Sequence, residues 1–172
     1  MSAENSREPM NSREPEKSRE PVKSIVTPVR VEYVYTPGIA SEKFLRGIRR
    51  GRILGQACDA CGRVYVPPRG ACPRCAVPTS KEVELAHKGT IVTFCVVRVP
   101  SENIQVSLPY CAANILLDGA DITFTGLIQE CRFDEVRIGM RVEAVWKPES
   151  EWDYNLGNIA HFRPIAEADV PF

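Results

Sequence analysis

The sequence is poor in histidine, with two residues, His87 and His161, among 172. Neither has a partner apparent in the sequence, so both read as structural or surface residues rather than members of a triad. No Gly-x-Ser-x-Gly elbow, no Gly-x-x-x-x-Gly-Lys and no Gly-x-Gly-x-x-Gly occurs. The linear signals of a serine hydrolase, a phosphate-cradling loop and a dinucleotide fold are therefore missing. No run of about 18 apolar residues exists, which excludes a transmembrane helix. The N-terminus has no apolar core of a secretory signal, so the expected location is cytoplasmic. Seven cysteines is an odd number, and in a reducing compartment that argues for metal binding over a disulfide framework.

Charge is balanced overall but unevenly placed. Residues 1–35 carry six basic and six acidic side chains. Residues 36–75 carry eight basic against two acidic, or +6, and residues 76–172 carry eight against fourteen, or −6. The expected molecule has a basic front and an acidic back.

The N-terminal stretch repeats every six residues, as Asn5-Ser-Arg-Glu-Pro9, Asn11-Ser-Arg-Glu-Pro15 and Lys17-Ser-Arg-Glu-Pro21. It has almost nothing apolar to bury, and its recurrent prolines block a continuous helix. Residues 1–35 are expected to be a disordered, repetitive tail. A short helix is expected next, with Ser41 as N-cap, Glu42 in its first turn, Phe44, Leu45 and Ile48 on one face, and Gly51 ending it. Its other face carries Lys43, Arg46, Arg49 and Arg50.

Ile53–Ala57 reads as a strand leading into the cysteines. Beyond them the texture is β. Thr90 to Val99 alternates with Ile91, Thr93, Cys95, Val97 and Val99 on one face. Tyr110–Leu117, Ile122–Ile128, Arg141–Trp146 and Ile159–Arg163 follow, with turn signals at Asp118-Gly119 and Ile138-Gly139-Met140. Five strands without a long helix suggest a small closed barrel of the OB type, with a small sandwich as the alternative. The fold class expected is mainly β: an N-terminal helix and zinc ribbon over residues 36–80, then an OB-fold barrel over 81–172.

Four cysteines carry the strongest chemical signal, spaced Cys58-x2-Cys61-x10-Cys72-x2-Cys75. Each Cys-x-x-Cys makes a tight turn that aims two thiolates at one cation, and two such turns give a closed tetrahedral site of the structural zinc type. Gly62 suits the positive φ such a turn requires, whereas Ala76 stands where a second glycine is often found. Val64-Tyr65-Val66 and Pro67-Pro68-Arg69-Gly70 read as the strand and turn joining the pairs. An iron or iron–sulfur site has the same ligand count. With four protein ligands the ion has no open position and serves as scaffolding.

The other cysteines say less. Cys95 and Cys111 read as small buried hydrophobes. Cys131 is the best placed for a reactive thiol, because Arg132 is adjacent and the position ends a strand. Glu149, Glu151 and Asp153 around Trp152 read as a solvated acidic loop. Arg46, Arg49, Arg50 and Arg52 are candidates for binding an acidic partner surface or the phosphates of CoA. No catalytic residue is assigned. Nucleic-acid binding, common among zinc ribbons and OB-folds, is the alternative function. It is disfavoured because an acidic barrel repels phosphate.

The ordered set of elements resembles a known family. It comprises the helix around Phe44-Leu45, the double turn beginning Cys58-Asp-Ala-Cys61-Gly62, then Val66-Pro67-Pro68-Arg69 and Cys72-Pro-Arg-Cys75. The strand Gly89-Thr-Ile-Val-Thr-Phe94, then Pro109-Tyr110, Leu117-Asp-Gly119 and Ile138-Gly139-Met140 complete it. Over about residues 38–165 this is similar to the acyl-CoA-associated zinc-ribbon and OB-fold family, catalogued as domain of unknown function thirty-five. The resemblance implies a rubredoxin-like ribbon, an OB barrel and a thiolase-like partner subunit that supplies the catalytic residues, either in an acetoacetyl-CoA-forming assembly or in retro-aldol cleavage of CoA thioesters. The partner would hold most of the acyl-CoA substrate. Trp152-Asp-Tyr154 and Phe162-Arg163-Pro164 look closest to the branch associated with retro-aldol cleavage in steroid side-chain breakdown.

Overall fold

The structure is a computed structural model that describes residues 31–100 and 106–171. The six-residue repeat lies outside the described residues. The described residues fall into two units that divide between Tyr35 and Thr36. Residues 31–35 of the first have no regular secondary structure and are exposed. Everything below concerns the second.

Helix α1 spans Ile39–Ile48 and buries Phe44, Gly47 and Ile48. It starts three residues earlier than the Ser41 cap signal suggests, with Gly38 at the N-cap and no side-chain capping bond. The Glu42 N–H donates instead to the Gly38 carbonyl at 2.9 Å. Gly51 ends the helix at φ +68°, and a Cβ there would lie 2.6 Å from the Trp152 ring. Glycine is thus required twice over, by conformation and by contact.

Strands β1 (Ile53–Ala57), β2 (Val64–Tyr65) and β3 (Lys81–Leu85) form a three-stranded antiparallel sheet in the order β2-β1-β3. Strands β4 (Lys88–Val97), β5 (Tyr110–Leu117), β6 (Phe124–Ile128), β7 (Arg141–Trp146) and β8 (Ile159–Pro164) close into a barrel in the order β4-β5-β6-β8-β7. The barrel closes by a parallel contact at Ile128 opposite Phe162 and by β7 pairing back on β4. The fold is therefore mainly β, with one N-terminal helix, a cysteine ribbon and a closed OB-type barrel. Among the described residues no helix is long and apolar enough to cross a membrane.

In β4 the register slips between Ile91 and Thr93, leaving Val92 without a partner. A bulge inverts the inward and outward alternation beyond it. Ile91 therefore points into the core, while Thr93 and Cys95 lie exposed on the opposite side. This corrects two sequence expectations: that Ile91, Thr93 and Cys95 share a face, and that Cys95 is buried. Cys111, opposite Val96, is buried as expected. On the outer surface, the Asn114 amide donates to Thr93 Oγ1 at 3.1 Å and accepts from Thr125 Oγ1 at 2.9 Å, a polar rung across three strands.

One apolar core runs from Phe44, Ile48 and Ile53 through Leu85 into Ile91, Ile115, Leu117, Ile128, Val142 and Phe162. Ribbon and barrel are also clamped by polar contacts. Val64 N–H donates to the Asp121 carboxylate, and Asp121 N–H donates to the Val64 carbonyl, both at 2.9 Å. The buried Asn158 amide donates to the Ile48 carbonyl at the end of α1.

Arg141 is the buried cation of the barrel. It makes a bidentate pair with Asp118 at 2.6 and 2.7 Å, meets Glu167 at 2.9 Å and donates to Thr90 Oγ1. Hydrogen bonds from the guanidinium hold the Asp118 carboxyl below its usual range, and a hydrogen bond from Lys88, then one from Arg141, do the same for Glu167. A carboxyl depressed in the folded state stabilises the fold above its unfolded pKa, and that stability is lost as pH falls through the folded value. Asp118→Asn is expected to cost about 1 kcal/mol at pH 7, after allowance for partial solvent screening. Denaturant titrations should show the gap from wild type closing on acidification below about pH 4.

Candidate metal centre

The two cysteine turns are built alike. In the first, Gly62 N–H donates to the Cys58 carbonyl at 2.9 Å and Cys58 N–H to the Arg63 carbonyl at 2.8 Å. In the second, Ala76 N–H donates to the Cys72 carbonyl at 2.9 Å and Cys72 N–H to the Val77 carbonyl at 2.8 Å. Gly62 has φ +73° and Ala76 φ +54°, so the alanine accepts a backbone conformation that its Cβ disfavours. The turns face each other because β1 delivers the first and the bridge between Ala71 and Pro78 closes the loop carrying the second.

The four sulfur atoms lie within 4.8 Å of one another, and Cys61 Sγ is 3.9 Å from Cys72 Sγ. A tetrahedral zinc with Zn–S near 2.3 Å sets sulfurs about 3.8 Å apart. The donor set and its spacing fit the ion. Cys58 and Cys72 are buried, Cys75 is half-buried and Cys61 is exposed.

The Tyr65 hydroxyl lies 3.1 Å from Cys72 Sγ and is buried. Donation to the sulfur favours its thiolate and brings Cys72 down to about 6, while the Tyr65 phenol is pushed up to about 12. Cys75 is pushed up to about 12, chiefly by its hydrogen bond to Cys61. Four sulfurs this close cannot all ionise without a cation, and a dication supplies the compensation. The Tyr65 hydroxyl is a partner of the sulfurs that sequence reasoning missed. Its only signal is its place in Val64-Tyr65-Val66 between the cysteine pairs.

The arginines divide. Arg46, Arg50 and Arg52 line one groove of about 180 Å3 with Lys43, Gly47, Leu54 and Glu82, and Arg49 does not line it. Arg46 is paired with Glu42 and Arg52 with Glu84, each at 2.7 Å. Arg49 reaches the Trp152 carbonyl and Asp153 and lies 4.8 Å over the Tyr154 ring. Arg50 is exposed and makes no ion pair among the described residues.

Both histidines are engaged. His87 Nδ1 accepts from Trp146 Nε1 at 3.2 Å, and burial lowers its pKa. His161 Nε2 lies 2.8 Å from the Glu130 carboxylate. Burial raises the Cys131 thiol, with Glu135 adding to the effect, and pushes Cys111 up to about 11. This is the reverse of what an activated nucleophile needs.

Helix, four-cysteine ribbon and five-stranded barrel together define a zinc-ribbon protein with an OB-fold. Residues 46–79 match the family described as "ChsH2, rubredoxin-like zinc ribbon domain", and residues 82–147 match "ChsH2, C-terminal OB-fold domain". A "DUF35 domain-containing scaffold protein" of Methanocaldococcus jannaschii is 40% identical over 118 residues, covering 66% of this chain and 82% of that protein. A protein of the same description from Methanothermobacter thermautotrophicus is 31% identical, covering 60% of this chain and 77% of its own length. Among solved structures, one described as "Ltp2-ChsH2(DUF35) aldolase" superposes with a TM-score of 0.59 at 22% identity. That likeness spans 76% of this chain and 98% of that one. A DUF35 protein of Sulfolobus solfataricus gives a TM-score of 0.54 at 20% identity, over 74% and 84% of the two chains. The chain belongs to the DUF35 family, and its rubredoxin-like ribbon is a structural zinc site.

Two variants test the centre. Ala76→Gly, by relieving the left-handed backbone, is expected to stabilise the zinc-loaded protein by about 1 kcal/mol. Tyr65→Phe removes the donor to Cys72 and should weaken zinc retention by roughly tenfold or more in a chelator competition at pH 7. Equal retention by wild type and Tyr65→Phe contradicts the role given to the hydroxyl.

Proposed function

We propose that this chain is a non-catalytic accessory subunit that assembles with a thiolase-like partner acting on acyl-CoA thioesters. In this reading Cys58, Cys61, Cys72 and Cys75 ligate the zinc, which fixes the ribbon in shape. The partner supplies the reacting groups and holds most of the substrate. The observation that carries the reading is the kinship with scaffold proteins of the same family along most of their length. Likeness of fold to the structure described as a DUF35 aldolase makes an aldolase the first partner to test, and the resemblance of Trp152-Asp-Tyr154 and Phe162-Arg163-Pro164 to the steroid branch makes CoA thioesters of steroid side chains the first substrate class to try.

The groove beside α1 is where an acidic partner surface or a CoA phosphate is best received. Arg46 and Arg52 are already oriented by carboxylates there, and Arg50 has no such partner. A charge at a rim position acts mainly on association and its salt dependence.

The test is reconstitution with a thiolase-like protein taken from the same host. Retro-aldol or thiolytic activity is expected only on mixing, with a stable hetero-oligomer on gel filtration. Arg50→Glu should weaken assembly by about tenfold at low salt and less at high salt. A chain that ignores that protein, or that turns over a CoA thioester alone, overturns the proposal.

A further inference from the structure

Away from the ribbon, the barrel opens between the start of β5 and the end of β6 into a cavity of about 500 Å3. That is within the size range of small-molecule sites, roughly 300–1,000 Å3. Tyr110, Leu127, Ile128 and Phe133 give it an apolar wall, and the Cys131 thiol is part of the lining. Its charged group is Glu130, and no cation lines it among the described residues.

Glu130 is set apart by its backbone, with φ +60°, one of two non-glycine residues with positive φ among those described. The other, Ala76, is explained by the metal turn. A side-chain-bearing residue persists in this region when its surroundings hold it, and such residues gather at ligand sites. Here the hold is visible. His161 Nε2 meets one carboxylate oxygen at 2.8 Å and Arg163 approaches the other at 3.6 Å. The carboxylate is fixed in direction, yet its side chain remains 48% exposed. Nearby cations are already committed, Arg132 to Asp134 and Arg163 to Glu143. An anionic ligand would meet a fixed negative charge that Arg163, shared with Glu143, offsets only in part.

We propose that this cavity binds a neutral, largely apolar small molecule that presents one N–H or O–H donor to the Glu130 carboxylate. The apolar wall takes the body of the ligand, and Glu130 orients it through a charge-assisted hydrogen bond. This site is independent of the assembly proposed above and stands or falls without a partner.

The probe is N-phenyl-1-naphthylamine, which is neutral, apolar and carries one N–H. Its anionic counterpart is 8-anilinonaphthalene-1-sulfonate. Titrated against the full zinc-loaded chain, the neutral dye should give saturable fluorescence enhancement, and the sulfonate should bind at least about tenfold more weakly. Leu127→Trp, which fills the cavity, should weaken the neutral dye by about tenfold or more. A second readout needs no variant: saturating dye should slow alkylation of Cys131 by iodoacetamide, followed by peptide mass spectrometry. The exposed Cys95 serves as the unprotected control. Absence of saturation, equal binding of the sulfonate, or Cys131 alkylation unchanged by the dye overturns the proposal.

Discussion

Four thiolates converging on one cation are the constraint from which the rest of this molecule is arranged. The ribbon has a two-residue strand, a short sheet and few apolar side chains of its own, too little to order the loops between its cysteines. Metal coordination closes both turns at once and fixes where β1 ends. Through β1 it fixes the register of β3, which runs on into the first strand of the barrel. The same demand explains the local oddities of the ribbon. Both turns share one hydrogen-bond pattern, one residue in each takes a left-handed backbone, and a tyrosine hydroxyl supports the most buried sulfur.

Charge is used differently in the two halves. In the barrel most cations are spent internally: Arg141 on Asp118 and Glu167, Arg163 on Glu143 and Glu130, Arg137 on Asp169, and Lys88 on Glu167. These pairs tie the C-terminal residues 165–170 back along β7 and the turn before it. Around α1, two arginines are held by carboxylates and Arg50 is not. Net charge by segment pointed to the helix and ribbon as the face left available to a partner. Only the ion pairs distinguish the arginines already committed from the one that is not.

The metal centre was legible in the sequence because its information is local: two Cys-x-x-Cys turns and their separation. Strands β5 and β7 were legible to the residue, since the turn containing Gly119 ends the first and the turn containing Gly139 starts the second. The start of α1 was not. Its cap has no side-chain bond, and the visible signal at Ser41 lies inside the helix. Strand β3, Lys81-Glu-Val-Glu-Leu85, is mostly charged and gains its identity from pairing with β1. The bulge at Val92 changes the parity of β4, which only the partner strand reveals, and so Cys95 was misplaced. The cavity at Glu130 is assembled from β5, β6 and the residues after β6, which no single stretch of sequence displays.

The mutual clamp between Val64 and Asp121 has a wider meaning. Beside it, Ile122 packs both against the small cluster of Cys58, Tyr65 and Cys72 and against the main core. Ribbon and barrel are therefore joined by a continuous apolar core as well as by polar contacts at its edge. They should melt as one cooperative unit, so that stripping the metal is felt as a loosened hairpin at the far strands. A gene fragment encoding the barrel alone would yield an apolar flank in search of cover.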